Sequence, residues 1–273
     1  SDSRIVLDEG GAEKLLGKTK EYTVFSDELP SRPPVLCPGC PHRGVFYTFK
    51  KLKLTVLGDI GCYTLGAAPP LSAMDTTFCM GASISSLHGF LKARPESASR
   101  TVAVIGDSTF LHSGITGLIN ITYNRTPATV VIVDNSITGM TGHQDNPATG
   151  KTLKGDEVPP VSLEKLCKGA GVSPSHIRVV AATDTAALET ALREELAVPE
   201  PSVIIVRQPC ALLKTVKRGE PVAVNTDKCK SCRACMAIAC PCISMVDGKA
   251  QIDTALCTGC GLCVALCRFG AIG

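Results

Sequence analysis

Residues 101–108 read Thr-Val-Ala-Val-Ile-Gly-Asp-Ser, and residues 129–135 read Thr-Val-Val-Ile-Val-Asp-Asn. Each stretch is a short run of β-branched, apolar residues that ends at a polar turn, which is the pattern of a buried parallel strand. Similar runs lie at Leu54–Leu57 and Val203–Val206. Helix-like segments separate the runs at about 82–93, 113–124, 162–170 and 184–196. This alternation predicts an α/β fold in which helices cover both faces of a doubly wound, mostly parallel sheet.

The residues that follow two of these strands are rich in oxygen ligands. Gly106, Asp107 and Ser108 follow the first strand quoted, and Asn135 and Thr138 follow the second. Because parallel strands bring their carboxyl ends to one edge of the sheet, these residues are expected to meet there. Oxygen ligands suit Mg²⁺, a glycine lets the backbone approach a phosphate, and a helix N-terminus favours an anion. The pattern predicts a site for a diphosphate and its Mg²⁺.

Cysteine makes up 15 of the 273 residues, and most of these cysteines lie in the C-terminal part of the chain. Two runs of the form CxxCxxC occur there, each with a trailing cysteine, as in proteins that bind two [4Fe-4S] clusters. Each cluster then takes three ligands from one run and the fourth from the other: Cys229, Cys232, Cys235 and Cys267 for one cluster, and Cys257, Cys260, Cys263 and Cys240 for the other. Paired CxxC units also form zinc ribbons, which is the alternative. Cys79, Cys167 and Cys242 are predicted to be buried thiols that bind no metal.

Charge and hydropathy exclude two kinds of partner. The formal charge of +3 comes with no basic run, which argues against nucleic acid. An apolar stretch of transmembrane length and a signal peptide are both missing, so the chain is expected to be cytoplasmic and to have no membrane partner. The predicted organisation is an N-terminal extension at 1–32, an α/β domain at 33–211, a linker at 212–224 and a small α+β cluster domain at 225–273.

Four further motifs carry a family resemblance. They are Cys37-Pro-Gly-Cys-Pro-His-Arg43, Gly58-Asp-Ile-Gly-Cys-Tyr-Thr-Leu-Gly66, Cys79-Met-Gly-Ala-Ser-Ile84 and Thr141-Gly-His-Gln144. With Gly-Asp-Ser at 106–108, they make residues 33–211 resemble the thiamine-diphosphate-binding domain of the 2-oxo-acid:ferredoxin oxidoreductases. The tail resembles bacterial two-cluster ferredoxins. A thiamine domain followed directly by such a tail resembles the alpha subunits of the indolepyruvate-type enzymes. The chain departs from these patterns at Ser108, where glycine is usual, and at Arg268, where proline is usual.

The resemblance implies roles for single residues. Asp107, the Asn135 side chain and the Ile137 carbonyl are expected to bind Mg²⁺. Three consecutive residues, Met80, Gly81 and Ala82, are expected to line the cleft of thiamine diphosphate. His42 is a candidate for contact with the cofactor or substrate. A catalytic glutamate against the pyrimidine ring is required, and residues 1–32 are too short for the domain that holds it, so another chain or segment is expected to supply it.

A third [4Fe-4S] cluster is predicted inside the α/β domain. Cys37 and Cys40 form a CxxC pair, Cys62 follows one predicted strand end and Cys210 follows another. Since strand ends of one polarity share an edge, the four thiols are expected to converge near the cofactor, and the resemblance supports the same set. The alternatives are four buried thiols or a zinc site.

The function implied by the resemblance is the oxidative decarboxylation of an aryl 2-oxo acid such as indolepyruvate to its acyl-CoA. Electrons would pass through the clusters to ferredoxin. The implied partners are a pyrimidine-binding domain or subunit, a beta-type subunit, ferredoxin, the 2-oxo acid and coenzyme A, in a hetero-oligomer. The alternatives are an enzyme of the pyruvate type and an electron-transfer subunit with a non-catalytic α/β domain. A non-oxidative thiamine decarboxylase would have no use for the tail cysteines.

Overall fold

The computed structural model describes residues 33–273, and the extension predicted at 1–32 lies outside the described residues. A six-stranded sheet dominates it, with the strand order β2-β1-β3-β4-β6-β5 and every pairing parallel. The expected doubly wound α/β fold is therefore confirmed. In chain order the strands are β1 Thr55–Gly58, β2 Thr76–Thr77, β3 Thr101–Gly106, β4 Thr129–Asp134, β5 Ile177–Ala181 and β6 Ser202–Arg207.

The helices of the α/β part connect these strands. They are α1 His42–Leu52, α2 Ala82–Ala93, α3, α4 Leu163–Gly169 and α5 Thr185–Glu195. Helix α3 starts at Asp107–Thr109, passes through a π-helical turn at Phe110–Gly114 and continues as Ile115–Tyr123. Short 3-10 turns lie at Cys62–Ala67, Pro95–Arg100 and Pro174–His176.

Besides the two-residue strand β2, two elements of the α/β part were not predicted from the sequence. The side chains of Val45, Phe46 and Phe49 form the buried apolar face of helix α1. In the sequence, the start of this segment is assigned to a motif and no helix is predicted there. Strand β5 lies at the edge of the sheet and is only partly buried, so it lacks the continuous apolar run of a central strand.

The central strands are buried on both faces. Along β3, Val102 and Val104 pack into one core while Ala103 and Ile105 pack into the other. The same alternation continues through β4 and β6. This double burial is the reason that these strands read as continuous apolar runs in the sequence.

The strand order places a crevice between β1 and β3. From β1 the chain runs outward to β2, and helix α2 then carries it back to β3 on the other side of β1. The connections leave the carboxyl ends of β1 and β3 in opposite directions, which opens a gap that α/β proteins use for ligands.

The tail has its own small core. It contains a 3-10 turn at Ala234–Ile238, an antiparallel hairpin of β7 Ile243–Val246 and β8 Lys249–Ile252, and helix α6 Leu262–Leu266. Residues 34–273 form one compact unit in which the tail packs on α1, where Tyr47 contacts the tail core. No helix within residues 33–273 is both long enough and apolar enough to cross a membrane.

Candidate cofactor cleft and cysteine groups

A cleft with about 520 Å³ of free space opens at the carboxyl ends of β1, β3 and β4. His42 lies in its wall, as do six of the residues predicted for the cofactor: Met80, Gly106, Asp107, Ser108, Asn135 and Thr138. The Thr138 hydroxyl donates to Ser108 Oγ over 2.9 Å, so the loop after β4 contacts the first turn of α3. Gly81 and Ala82 lie at the start of α2, next to Met80 but outside the lining of the cleft.

Three oxygen-bearing groups predicted for Mg²⁺ converge at the base of this cleft. One terminal atom of the Asn135 carboxamide lies 2.6 Å from the Ile137 carbonyl oxygen and 3.3 Å from Asp107 Oδ1. With the amide nitrogen at that position, Asn135 donates to both oxygens. With the amide oxygen there, three oxygens face one another, an arrangement that a cation stabilises. The residues present therefore fit a divalent cation with oxygen ligands.

The electrostatics of Asp107 also favour a cation. Its side chain is only 2% exposed. Burial, and after it the charge of Asp134, raises the pKa of Asp107 to about 6, and a 3.1 Å hydrogen bond from Asn146 Nδ2 opposes the shift. Asp134 has its own cationic partner, because Arg207 Nε lies 2.7 Å from its carboxylate. Asp107 has no ion-pair partner among residues 33–273, so a bound cation would supply the missing charge.

Asp59 anchors the far side of the cleft, and sequence reasoning missed it. This fully buried carboxylate accepts hydrogen bonds of 2.9 Å from Gly81 N–H and from Ser83 Oγ, and a further one from the Tyr63 hydroxyl. Burial raises its pKa to about 6, against these hydrogen bonds. It thereby holds the N-terminus of α2 against the turn after β1. The signal in the sequence was its position directly after the end of a strand.

His42 enters the cleft from the start of α1. Its ring is 2% exposed and meets Tyr63 edge-on, with ring centroids 6.3 Å apart. Burial lowers the pKa of His42 to about 4, so the imidazole is neutral at neutral pH. A neutral ring can hydrogen-bond a ligand without adding charge to the site.

The four cysteines predicted for the third cluster lie together beside the cleft. Burial raises the pKa of Cys40 to about 12, and the charges of Cys37 and Cys210 add to the shift. The pKa of Cys62 is raised by burial and then by the charges of Cys210 and Cys37. Each thiol is thus within electrostatic reach of others in the set. Cys62 also lines the cleft, so the two sites share a wall.

The electrostatic neighbours of two buried tail cysteines come from their own predicted sets. Burial raises the pKa of Cys235, and the charges of Cys232, Cys229 and Cys267 add to the shift. Burial likewise raises the pKa of Cys263 to about 12, with contributions from Cys260, Cys240 and Cys257. Backbone N–H groups point at two of the sulfurs, from Ala271 to Cys267 over 3.2 Å and from Gly259 to Cys257 over 3.5 Å.

A single-ion site and a tetranuclear cluster require different spacings of their thiolates. Zn–S bonds of about 2.3 Å would place four thiolates about 3.8 Å apart. Within residues 33–273, no three histidine, cysteine, aspartate or glutamate side chains are grouped around a point that one ion could occupy. A tetranuclear cluster binds each thiolate through a different iron and so holds its ligands farther apart.

The predictions for the other three cysteines hold in two cases. Cys167 and Cys242 are buried, as expected. The prediction for Cys79 is wrong, because this residue is exposed in the turn before α2.

Comparison with known families agrees with this geometry. Residues 59–206 match the model of the thiamine pyrophosphate enzyme C-terminal TPP-binding domain, and residues 250–273 match a 4Fe-4S binding domain. The chain therefore belongs to the family of thiamine pyrophosphate enzymes that share this C-terminal domain. The predicted thiamine-binding fold and the predicted ferredoxin-like tail are both confirmed.

Individual relatives show a more specific resemblance within this family. The indolepyruvate oxidoreductase subunit IorA of Methanothermobacter marburgensis is 41% identical over 271 residues, which cover 93% of this chain and 42% of that protein. IorA of Archaeoglobus fulgidus is 39% identical over 266 residues, with 94% and 42% covered. The resemblance to indolepyruvate oxidoreductase alpha subunits is confirmed, and the chain spans about two fifths of the length of these relatives.

A solved structure shares the fold. The 2-oxoglutarate:ferredoxin oxidoreductase from Magnetococcus marinus, solved with 2-oxoglutarate, coenzyme A and succinyl-CoA bound, superposes with a TM-score of 0.55 at 16% identity. The match covers 68% of each chain.

Proposed function

We propose that this chain is the thiamine- and cluster-carrying part of a 2-oxo-acid:ferredoxin oxidoreductase of the indolepyruvate type. The reaction would convert an aryl 2-oxo acid such as indolepyruvate to its acyl-CoA and CO₂, with two electrons passing singly through [4Fe-4S] clusters to ferredoxin. The observation that carries the proposal is the position of Cys62, which lines the cleft and also lies near Cys37 and Cys210 of the cysteine group. Electrons released in the cleft would have an acceptor beside them.

The residues of the cleft have distinct tasks in this proposal. Bound thiamine diphosphate supplies the carbanion-stabilising chemistry that decarboxylation requires. Asp107, the Asn135 side chain and the Ile137 carbonyl hold Mg²⁺, which neutralises the diphosphate. The start of α3, directly after Gly106, offers backbone N–H groups to the anion. His42 offers a neutral hydrogen-bonding group to the cofactor or substrate.

The cleft needs a partner segment. Asp107 is the one carboxylate among its described lining residues, so the catalytic glutamate that the family requires must come from another chain or segment. Exposed apolar side chains surround the opening, among them Ile60 at 37%, Met80 at 45% and Met140 at 49%. An apolar rim of this kind suits a covering protein surface. We assign that cover to the pyrimidine-binding domain, within a cytoplasmic hetero-oligomer that also contains a beta-type subunit.

The test is cofactor analysis and turnover of the complete enzyme, purified without oxygen. About twelve irons per chain are expected, together with one thiamine diphosphate. Reduction of ferredoxin should require both coenzyme A and a 2-oxo acid, with indolepyruvate preferred over pyruvate. Preference for pyruvate would indicate the pyruvate type, and irons without thiamine would indicate an electron carrier. Either result would overturn the proposal.

A further inference from the structure

Arg43 is among the largest completely buried side chains of residues 33–273, with 2% of its surface exposed. It lies in the first turn of α1, between the CxxC pair and the tail. No carboxylate pairs with it in the described part of the chain, and its Nη2 atom has no hydrogen-bond partner there. A buried, unpaired cation is costly, so its position calls for an anionic neighbour.

The guanidinium connects the ligand loops of two different cysteine groups. Its Nε donates to the carbonyl of Cys37 over 2.9 Å. Its Nη1 donates to the carbonyl of Ile238 over 3.4 Å and to that of Ala239. Cys37 belongs to the group beside the cleft, and Ala239 immediately precedes Cys240 of the tail group with Cys257, Cys260 and Cys263.

The sulfurs are the anions available to Arg43. Burial lowers its pKa, and the charges of Cys240, Cys40, Cys37 and Cys242 oppose that shift, with Cys240 first. Both groups therefore act on the same guanidinium. None of the main charges acting on Arg43 comes from the remaining tail group, which contains Cys229, Cys232, Cys235 and Cys267.

We propose that Arg43 is a positioning residue that holds the cluster of Cys240 against the cluster of Cys37 and that its charge raises the reduction potentials of both. The inference rests on the proposed function, because it requires clusters at both sites. The step it supports is the transfer of one electron from the reduced cluster beside the cleft to the oxidised tail cluster, with no bond made or broken. The 2-oxo acid is the electron source, and ferredoxin is the final oxidant. A fixed buried cation stabilises the added negative charge at either cluster.

The tail cluster that lies away from Arg43 provides an internal control. Two neighbouring clusters should respond to loss of the Arg43 charge, while the cluster of Cys229, Cys232, Cys235 and Cys267 should not. Charge and hydrogen bonding can be separated with two variants. Arg43→Gln is neutral but can still donate a hydrogen bond, whereas Arg43→Lys keeps the charge but loses the planar, multi-donor geometry.

The experiment is a potentiometric titration of the complete enzyme, followed by electron paramagnetic resonance, with irons counted first. In Arg43→Gln, the reduction potentials of the two clusters next to Arg43 should each fall by at least about 59 mV, which is a tenfold change in a one-electron equilibrium. The potential of the cluster bound by Cys229, Cys232, Cys235 and Cys267 should not change. In Arg43→Lys, both of these potentials should stay close to their values in the unaltered enzyme. Arg178→Met is the matched control, because Arg178 pairs with Glu194 and Glu195, away from the cysteines, and should change nothing.

The outcomes separate this inference from the proposed function. Eight irons in the unaltered enzyme would contradict the cluster by the cleft, and with it the assignment on which Arg43 depends. Twelve irons with three unchanged potentials in Arg43→Gln would refute the role of Arg43 alone. If Arg43→Gln fails to assemble, Arg43→Lys decides: potentials lowered in a fully loaded Arg43→Lys enzyme would show that charge is not the cause.

Discussion

The backbone N–H of Cys210 donates a 2.9 Å hydrogen bond to the carbonyl oxygen of Asn135. One of these residues belongs to the cysteine group by the cleft, and the other contributes to the proposed Mg²⁺ site. Strands β4 and β6 are neighbours in the sheet, and the two residues lie just beyond their carboxyl ends. The proposed cofactor site and the proposed first electron acceptor are thus connected by a backbone hydrogen bond, and several variants test the two sites separately.

Asp107→Ala should abolish retention of thiamine diphosphate while the irons remain. The change removes one of the three protein oxygens proposed to bind Mg²⁺, and loss even of an indirect contact to a metal can cost about 10–100-fold in affinity. Thiamine content after desalting is the measurement. Asp156→Ala, at an exposed aspartate in the loop after Lys151, is the matched control. Normal thiamine content in Asp107→Ala would refute the assignment.

Cys62→Ser and Cys210→Ser should each lower the iron content from about twelve to about eight per chain, because a tetranuclear cluster needs its full set of ligands. Cys79→Ser should leave the iron content unchanged, since this cysteine is exposed and lies outside all three groups. Iron and sulfide analysis after anaerobic purification gives the answer. A count of eight in the unaltered enzyme, the same in both variants, would remove the third cluster.

Gly81→Ala should weaken both folding and cofactor binding. Gly81 has φ 88°, and a Cβ there would lie 2.3 Å from Ser113 Oγ. Gly155 has a similar φ of 91° but open space around it, so Gly155→Ala measures the backbone strain alone, about 1–2 kcal/mol. Thermal unfolding should show a larger loss for Gly81→Ala. Equal losses in the two variants would mean that the turn before α2 can move.

His42 should make folding stability depend on pH. Its pKa in the folded protein is lowered to about 4 from an ordinary value of 6.5, so between these values the unfolded chain binds more protons. Stability contributed by neutral His42 is therefore present above about pH 6.5 and is lost as pH falls towards 4. His42→Gln should reduce the difference in unfolding temperature between pH 7.5 and 5.5. An unchanged difference would show that His42 is not buried in neutral form.

The chain without its partners should not turn over any 2-oxo acid, because the proposed function assigns the activating glutamate to another chain or segment. Reconstituted with thiamine diphosphate, Mg²⁺ and iron, it should still be reduced by dithionite. Reduction by indolepyruvate in the absence of other chains would show that the described cleft is complete.

The central strands and the polar residues after them could be predicted because double burial and strand-end chemistry leave local patterns. The two CxxCxxC runs of the tail could be recognised as candidate ligands because their spacing is a local pattern. Asp59 and Arg43 could not be assigned roles in this way. Their roles depend on which backbone groups come near them, from Gly81 in one case and from Ala239 in the other, and tertiary packing alone decides that. Strand β5 was missed since an exposed edge relaxes the apolar pattern.

The ligands assigned to the cluster beside the cleft are distant in sequence, at residues 37, 40, 62 and 210. Such a cluster would act as a cross-link that closes a long loop around most of the α/β fold, as a disulfide does in other proteins. Oxygen damage to it would then do more than interrupt electron flow. It would release the loops after β1 and β6 together, and with them the backbone contact that holds Asn135, so oxidative loss of iron and loss of the thiamine cofactor should occur as one event.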